Sequence, residues 1–304
     1  MNNNLLIPLK LFFKVSSRIA PFIAIRLANK LFTTPFHSKR RDIEHEMLES
    51  AERFIIPMGN NIKLAGYRWG KKTDPIILFV HGWTATATCF VNFIDPLLER
   101  GYQVVSYDAI AHGETSGISV SLTEWADTVI AVMEHIGKVS CIIGHSLGAG
   151  AIVIASSLKL ETEKIVLISP MSDLSKVTDQ FAEALSIPKH IMKQTHHYAW
   201  KKYYTSASKY GDDWEGVFES KIKVPALIIH DLNDKEIDIS HSKKLLEQCS
   251  SVEFMETKRL GHRRIILNPD VITRVLGFVS GDKLSRNLST PEPLPATSRK
   301  QNVI

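Results

Sequence analysis

Ser146, Asp234 and His262 are the residues of this 304-residue chain whose types and order could build a nucleophile, the anchor of a base and the base itself. Ser146 lies in Gly144-His145-Ser146-Leu147-Gly148, after the apolar run Cys141-Ile142-Ile143 and before residues 149–158, which read as a helix. That is a strand, a sharp turn and a helix with a serine at the apex. Side chains at 144 and 148 would collide with the neighbouring strand or helix. The serine is forced into a strained backbone region, and its oxygen is lifted clear of the sheet. It then sits near a helix N-terminus, whose partial positive charge favours a developing anion. A serine hydroxyl is a poor nucleophile at neutral pH and needs a base. His262 can take its proton, and a carboxylate must hold the imidazole in one tautomer and stabilise its charged form. Asp234 is the candidate for that carboxylate; Asp231 and Glu236 stand in the same loop and stay open as alternatives. The oxyanion needs donors as well. The backbone N–H of Leu147, next to the serine, supplies one. The N–H of Trp83 supplies a second, with Gly82 letting backbone approach closely. His81, Gly82 and His145, with Trp200 and Trp214 further on, complete the candidate substrate-binding set. No metal or cofactor is expected: His196-His197 has no third ligand at metal-binding spacing.

Elements at regular intervals must bring these residues together. Residues 53–56 and 62–69 read as a hairpin around the turn 57–61. The run 76–80 is continuously apolar, as in a strand covered on both faces. A helix over 89–100, a strand at 103–107 and a helix over 122–136 follow, the last with Ser121 as cap and Glu124 three residues on. Strands at 164–169, 226–230 and 252–256 and helices over 239–249 and 269–279 continue the rhythm. It implies a mostly parallel twisted sheet with crossover helices on both faces. Ligands bind such sheets at the carboxyl ends of the strands. Ser146, Asp234 and His262 each follow a strand, so all three can meet at one edge. Residues 171–223 interrupt the rhythm with helical, aromatic-rich sequence, read as a lid over an apolar pocket.

These residues resemble the α/β-hydrolase superfamily over residues 52–280. The likeness rests on His81-Gly82-Trp83, Asp108 through Gly117, Gly144 through Gly148, Asp231 through Asp234 and Leu260-Gly261-His262. Within the superfamily the chain is similar to bacterial lid-bearing serine hydrolases with a Leu-Gly-His-Arg-Arg-Ile ending. It departs from them in reading His230-Asp231 where His-Gly is commoner before the acid. The resemblance implies a core of residues 52–170 and 224–280, a helical lid at 171–223, and a serine hydrolase acting on a carboxylic ester or thioester through an acyl-enzyme on Ser146. Acyl transfer, trimming of peptide N-termini by lid acids (Glu183, Asp212, Asp213 or Glu215), and a receptor that keeps the triad without turnover are the competing readings. Aspartate usually replaces the nucleophilic serine in haloalkane and epoxide chemistry, so Ser146 argues against both.

Composition narrows the class further. No apolar run is long enough for a transmembrane helix. The isolated Cys89, Cys141 and Cys249 make no disulfide framework, which points to a reducing, cytoplasmic setting. The net charge of +5 belongs to residues 1–41, which hold eight bases and no acid. The rest of the chain has no basic stripe for nucleic acid. In that arm Lys10, Lys14 and Arg18 share one helix face, with Leu11, Phe12, Val15, Ile19 and Phe22 on the other side and Pro21 as a break. Two readings follow: a helix on the inner face of an anionic membrane, or a helix packed on the body. Residues 282–304, rich in proline, serine and threonine, read as a disordered tail.

Overall fold

The apolar residues of the central strands divide between two cores by simple alternation. Ile77 and Phe79 face one core, Leu78 and Val80 the other; Leu227 and Ile229 repeat the first set, Ala226 and Ile228 the second. Strands with apolar residues on both faces must be covered on both faces, and this sheet is. The computed structural model describes residues 3–36, 39–59, 61–158, 160–203, 206, 208–210, 216–219 and 222–282. Eight strands lie in one sheet: β1 (Glu52–Pro57), β2 (Lys63–Trp69), β3 (Ile76–Val80), β4 (Gln103–Tyr107), β5 (Val139–His145), β6 (Thr162–Ile168), β7 (Ala226–Asp231) and β8 (Val252–Thr257). Their order is β1-β2-β4-β3-β5-β6-β7-β8. β1 and β2 pair antiparallel, as do β2 and β4, and every later pairing is parallel. This is the mostly parallel, helix-flanked sheet that the resemblance implies.

α-Helices numbered α1 to α11 in chain order flank the sheet among the described residues, with three short 3-10 helices at Ala87–Phe90, Gly216–Phe218 and Ile265–Leu267. α5 (Leu122–Ile136) and α6 (Leu147–Ala155) cover one face, with Trp125 and Ile152 in its core. α5 starts on a capping box in which Ser121 and Glu124 satisfy each other's backbone N–H groups. α3 (Asp42–Glu49), α4 (Val91–Leu98) and α11 (Pro269–Ser280) cover the other face.

Between β6 and β7 the chain forms α7 (Leu174–Leu185) and α8 (Lys189–Lys202). The arm joins them. Pro21 breaks it into α1 (Asn3–Ile19) and α2 (Pro21–Thr33). Phe13, Ala24 and Ala28 from these helices build a third core with Leu185, Ile191 and Met192. The arm therefore packs on the body, but with only part of its apolar surface. Phe12 turns toward this core, whereas Leu11, Val15, Ile19 and Phe22, read from sequence as one apolar side with it, remain exposed. Two contacts tie the arm down further. Val120 N–H donates to Thr33 O at 2.9 Å, and Arg40 pairs with Asp108 at 2.9 Å. Asp108 is fully buried and also accepts from Tyr67 Oη, Ala87 N and Glu114 N. Of the residues read as a tail, all beyond Asp282 lie outside the described residues.

Candidate active site

Ser146 sits between β5 and α6 at φ 55°, ψ −122°, a conformation that costs a non-glycine residue free energy. Close packing imposes it. A side chain at Gly148 would put its Cβ 2.2 Å from the carbonyl oxygen of His81. One at Gly82 would lie 2.9 Å from Ser146 Cβ. Ser146 N–H donates to Ile168 O at 2.9 Å, which pins the turn to the end of β6.

His262 reaches the serine from α10 (Gly261–Arg264), a one-turn helix between β8 and α11. Its Nε2 is 2.8 Å from Ser146 Oγ, and its Nδ1 is 2.7 Å from Asp234 Oδ2. With the carboxylate accepting, Nδ1 carries the proton and Nε2 is left to accept from the serine hydroxyl. The Asp234 side chain has no solvent exposure. Burial opposes its charge, but the imidazole N–H groups of His230 and His262 and the backbone N–H of Ile237 outweigh that, holding the carboxyl well below the usual carboxylate range.

Asp231, the rival acid, points elsewhere. Its Oδ2 accepts from Thr257 Oγ1 at 2.8 Å and Leu260 N at 3.0 Å. It fastens the start of the segment that carries His262. Glu236 is exposed and ion-paired with Arg263 at 2.9 Å. A support that sequence reasoning missed is His230, fully buried at the end of β7. Its Nδ1 is 2.6 Å from Ser242 Oγ. Its Nε2–H donates to Ile237 O at 2.9 Å and lies 3.5 Å from Asp234 Oδ2. The departure from His-Gly leaves this histidine in place; Asp231, in the position of the glycine, adds the tie to β8.

Several candidate substrate-binding residues hold other positions. His81 is fully buried, its Nδ1–H donating to Gly82 O at 2.8 Å and its Nε2 accepting from Ala109 N at 2.9 Å. Both ring nitrogens are spent on backbone, so it shapes the loop beneath the site and is absent from the cavity wall. Burial depresses its pKa to about 4. His145 is also buried and donates Nε2–H to His262 O at 2.9 Å. Burial, and then the nearby His262, push its pKa down to about 3. Trp200 packs against the sheet core on the α5–α6 side and is absent from the cavity wall. Trp214 lies outside the described residues. Leu147 opens α6, so its N–H has no partner within that helix, and Trp83 lines the cavity beside Ser146 and His262.

That cavity measures about 550 Å³. Ser146, Leu147 and His262 form its floor. Leu174, Val177 and Phe181 of α7, with Met192 and Thr195 of α8, line its sides. The arm contributes too, through Leu6, Phe32, Thr33 and Phe36. Sequence reasoning gave the lid over the pocket to residues 171–223; nothing local to residues 1–41 marks them as cavity wall. His196, half of the histidine pair that the sequence offered no third ligand, also lines it. No group of three or more His, Cys, Asp or Glu among the described residues could hold a metal ion.

The chain is 34% identical over 139 residues to a serine hydrolase-like protein of Dictyostelium discoideum, covering 43% of this chain and 38% of that protein. It is 30% identical over 122 residues to a bifunctional esterase/perhydrolase of Acinetobacter calcoaceticus, covering 38% of this chain and 44% of that protein. The chain thus spans less than half of either relative. Among solved structures, a Pyrococcus furiosus esterase superposes with a TM-score of 0.61 at 20% identity, over 82% of this chain and 97% of that one, a likeness of fold. Residues 77–273, well over half of the sequence, match the model of the alpha/beta hydrolase family, and the chain belongs to that family.

Proposed function

We propose that the protein is a serine hydrolase that cleaves a carboxylic ester or thioester through an acyl-enzyme on Ser146. The observation that carries this reading is the unbroken row from Ser146 Oγ through the His262 ring to Asp234 Oδ2, at 2.8 and 2.7 Å, on the floor of an apolar cavity. His262 takes the serine proton as Oγ bonds to the carbonyl carbon. The N–H groups of Leu147 and Trp83 receive the oxyanion. The oxyanion collapses, the alcohol or thiol leaves with the proton from His262, and water repeats the sequence on the acyl group. Asp234 holds Nδ1–H in place throughout. Helices α7 and α8, with the arm, serve as a lid that shields the acyl chain from water.

The character of the cavity wall favours an acyl substrate over a peptide. An amine-holding peptidase needs an acid there. Glu183 is exposed and absent from the wall; Asp212, Asp213 and Glu215 lie outside the described residues; Glu236 lines the cavity but is paired with Arg263. The names of the two relatives, one serine hydrolase-like and one an esterase, support the same chemistry. A panel of p-nitrophenyl esters of rising chain length tests the proposal. Turnover is expected to favour chains that fill the cavity over acetate. A folded protein inactive on the whole panel, thioesters included, contradicts hydrolysis and favours the receptor reading.

A further inference from the structure

The arm presents its second face to solvent, and that face is built from two adjacent rows. Ile7, Leu11, Val15 and Ile19 recur every four residues along α1, and Phe22 and Ile23 extend the row into α2. Ile7 is 72%, Ile19 77% and Phe22 60% exposed. Beside this row, and not on the other side of the helix as the sequence spacing suggested, run Lys10, Lys14 and Arg18, also every four residues; Leu11 shares their concavity. These three bases line a shallow concavity of about 330 Å³ with Ser17, Ser186 and Pro188. No carboxylate pairs with any of them among the described residues. No helix of the described residues is long and apolar enough to cross a membrane.

We propose that this outer face of α1 and α2 docks on the surface of an anionic lipid bilayer. Charge and shape together select that occupant. The apolar row supplies side chains to sit at the level of the acyl chains, and the basic row lies alongside it, where long side chains reach headgroup phosphates. The concavity between α1 and the start of α8 gives one phosphate a place among three cations. A second copy of the chain fits poorly. A two-fold contact through this face would set Lys10, Lys14 and Arg18 of one copy near those of the other, with no acid in residues 1–41 to compensate. The proposal concerns binding alone and stands whether or not Ser146 turns over. Its consequence is positional: the helices that touch the lipid are the ones whose other faces line the cavity, through Leu6 and Phe32.

Cosedimentation of the full chain with phosphatidylcholine vesicles, with and without phosphatidylglycerol, tests the docking. Ser146→Ala serves as background so that lipid hydrolysis cannot confuse the result. Binding is expected to require phosphatidylglycerol and to weaken with salt without vanishing, since the apolar row is not screened. Each base near an anionic surface contributes about fivefold, so Lys10→Ala/Lys14→Ala/Arg18→Ala should lower partitioning about a hundredfold. Ile7→Ser/Leu11→Ser/Ile19→Ser should remove the part that survives high salt. Placed in the chain with Ser146 intact, both sets replace exposed side chains and should leave melting temperature and hydrolysis of a short soluble ester unchanged. Pelleting of both sets equal to the parent overturns the proposal. So does a parent that ignores phosphatidylglycerol, or one that sediments as a dimer dispersed by the serine set without ever binding vesicles.

Discussion

His145 donates its Nε2–H to the backbone carbonyl of His262 across 2.9 Å, and the two rings lie 4.8 Å apart. The residue before the candidate nucleophile thus holds the backbone of its candidate base. The bond closes a ring: β5 carries Ser146, its neighbour grips α10, and α10 returns His262 to Ser146. Loss of one of these ties lets the imidazole drift, and reacting groups are sensitive to small displacements.

His145→Phe keeps the ring packing and removes the donor. A hydrogen bond of about 1.4 kcal/mol corresponds to about tenfold in rate. We expect kcat on an acylation-limited ester to fall by about that factor with KM little changed. The ionisation seen in the pH–rate profile should stay where it was, because His145, depressed to about 3, is neutral over the whole working range. An unchanged kcat, or a displaced ionisation, contradicts the positioning role.

Asp234 and Asp231 separate by what their variants lose. Asp234→Asn should keep the fold and cut turnover by about four orders of magnitude, since the amide favours the wrong histidine tautomer. Asp231→Asn should weaken the bonds to Thr257 and Leu260, lowering the melting temperature and reducing turnover by less than a hundredfold. Kinetics and thermal melts on both variants decide it. The reverse ranking would move the acid to Asp231.

Buried neutral histidines predict how the fold responds to acid. An unfolded imidazole binds its proton near the ordinary value of 6.5, whereas folded His81 and His145 refuse it until about 4 and 3. Their contribution to stability is full above pH 6.5 and is lost as pH falls toward those lower values. Together they should cost roughly 3 kcal/mol between pH 6 and 4.5. Asp234, held low, favours the fold above its ordinary carboxylate value of 3.8 and so adds no loss in this window. Denaturant titrations across the range check this, and a flat stability contradicts it.

The parts of the site legible in the sequence are those set by neighbouring residues. Gly144 through Gly148 encodes its own turn, because the close approach of β3 and α6 demands glycine wherever the chain enters it. His262 was legible from its place between the last strand and the last helix. Asp234 could not be told from Asp231 because the two share one short loop. What separates them is that one side chain turns back to Thr257 on β8 while the other turns to α10. Adjacency to the serine made His145 look like a substrate contact, and only packing shows it spent on His262. The aromatic content of residues 171–223 gave no direction to Trp200, which faces the sheet core. The arm's periodicity announced an apolar side but not that α1 has an inner row around Phe13 and an outer row around Leu11. The share of the cavity wall from Phe32 and Phe36 depends on that docking and has no local signal.

Ser146 as nucleophile is the centre of the proposed mechanism, and covalent capture tests it most directly. The protein is treated with a fluorophosphonate probe, its intact mass is measured, and the labelled peptide is mapped. We predict one adduct per chain, on the peptide carrying Ser146, and none on a folded Ser146→Ala variant. Wild-type protein that takes up no probe, or a Ser146→Ala variant labelled as fast as wild type, would contradict the account.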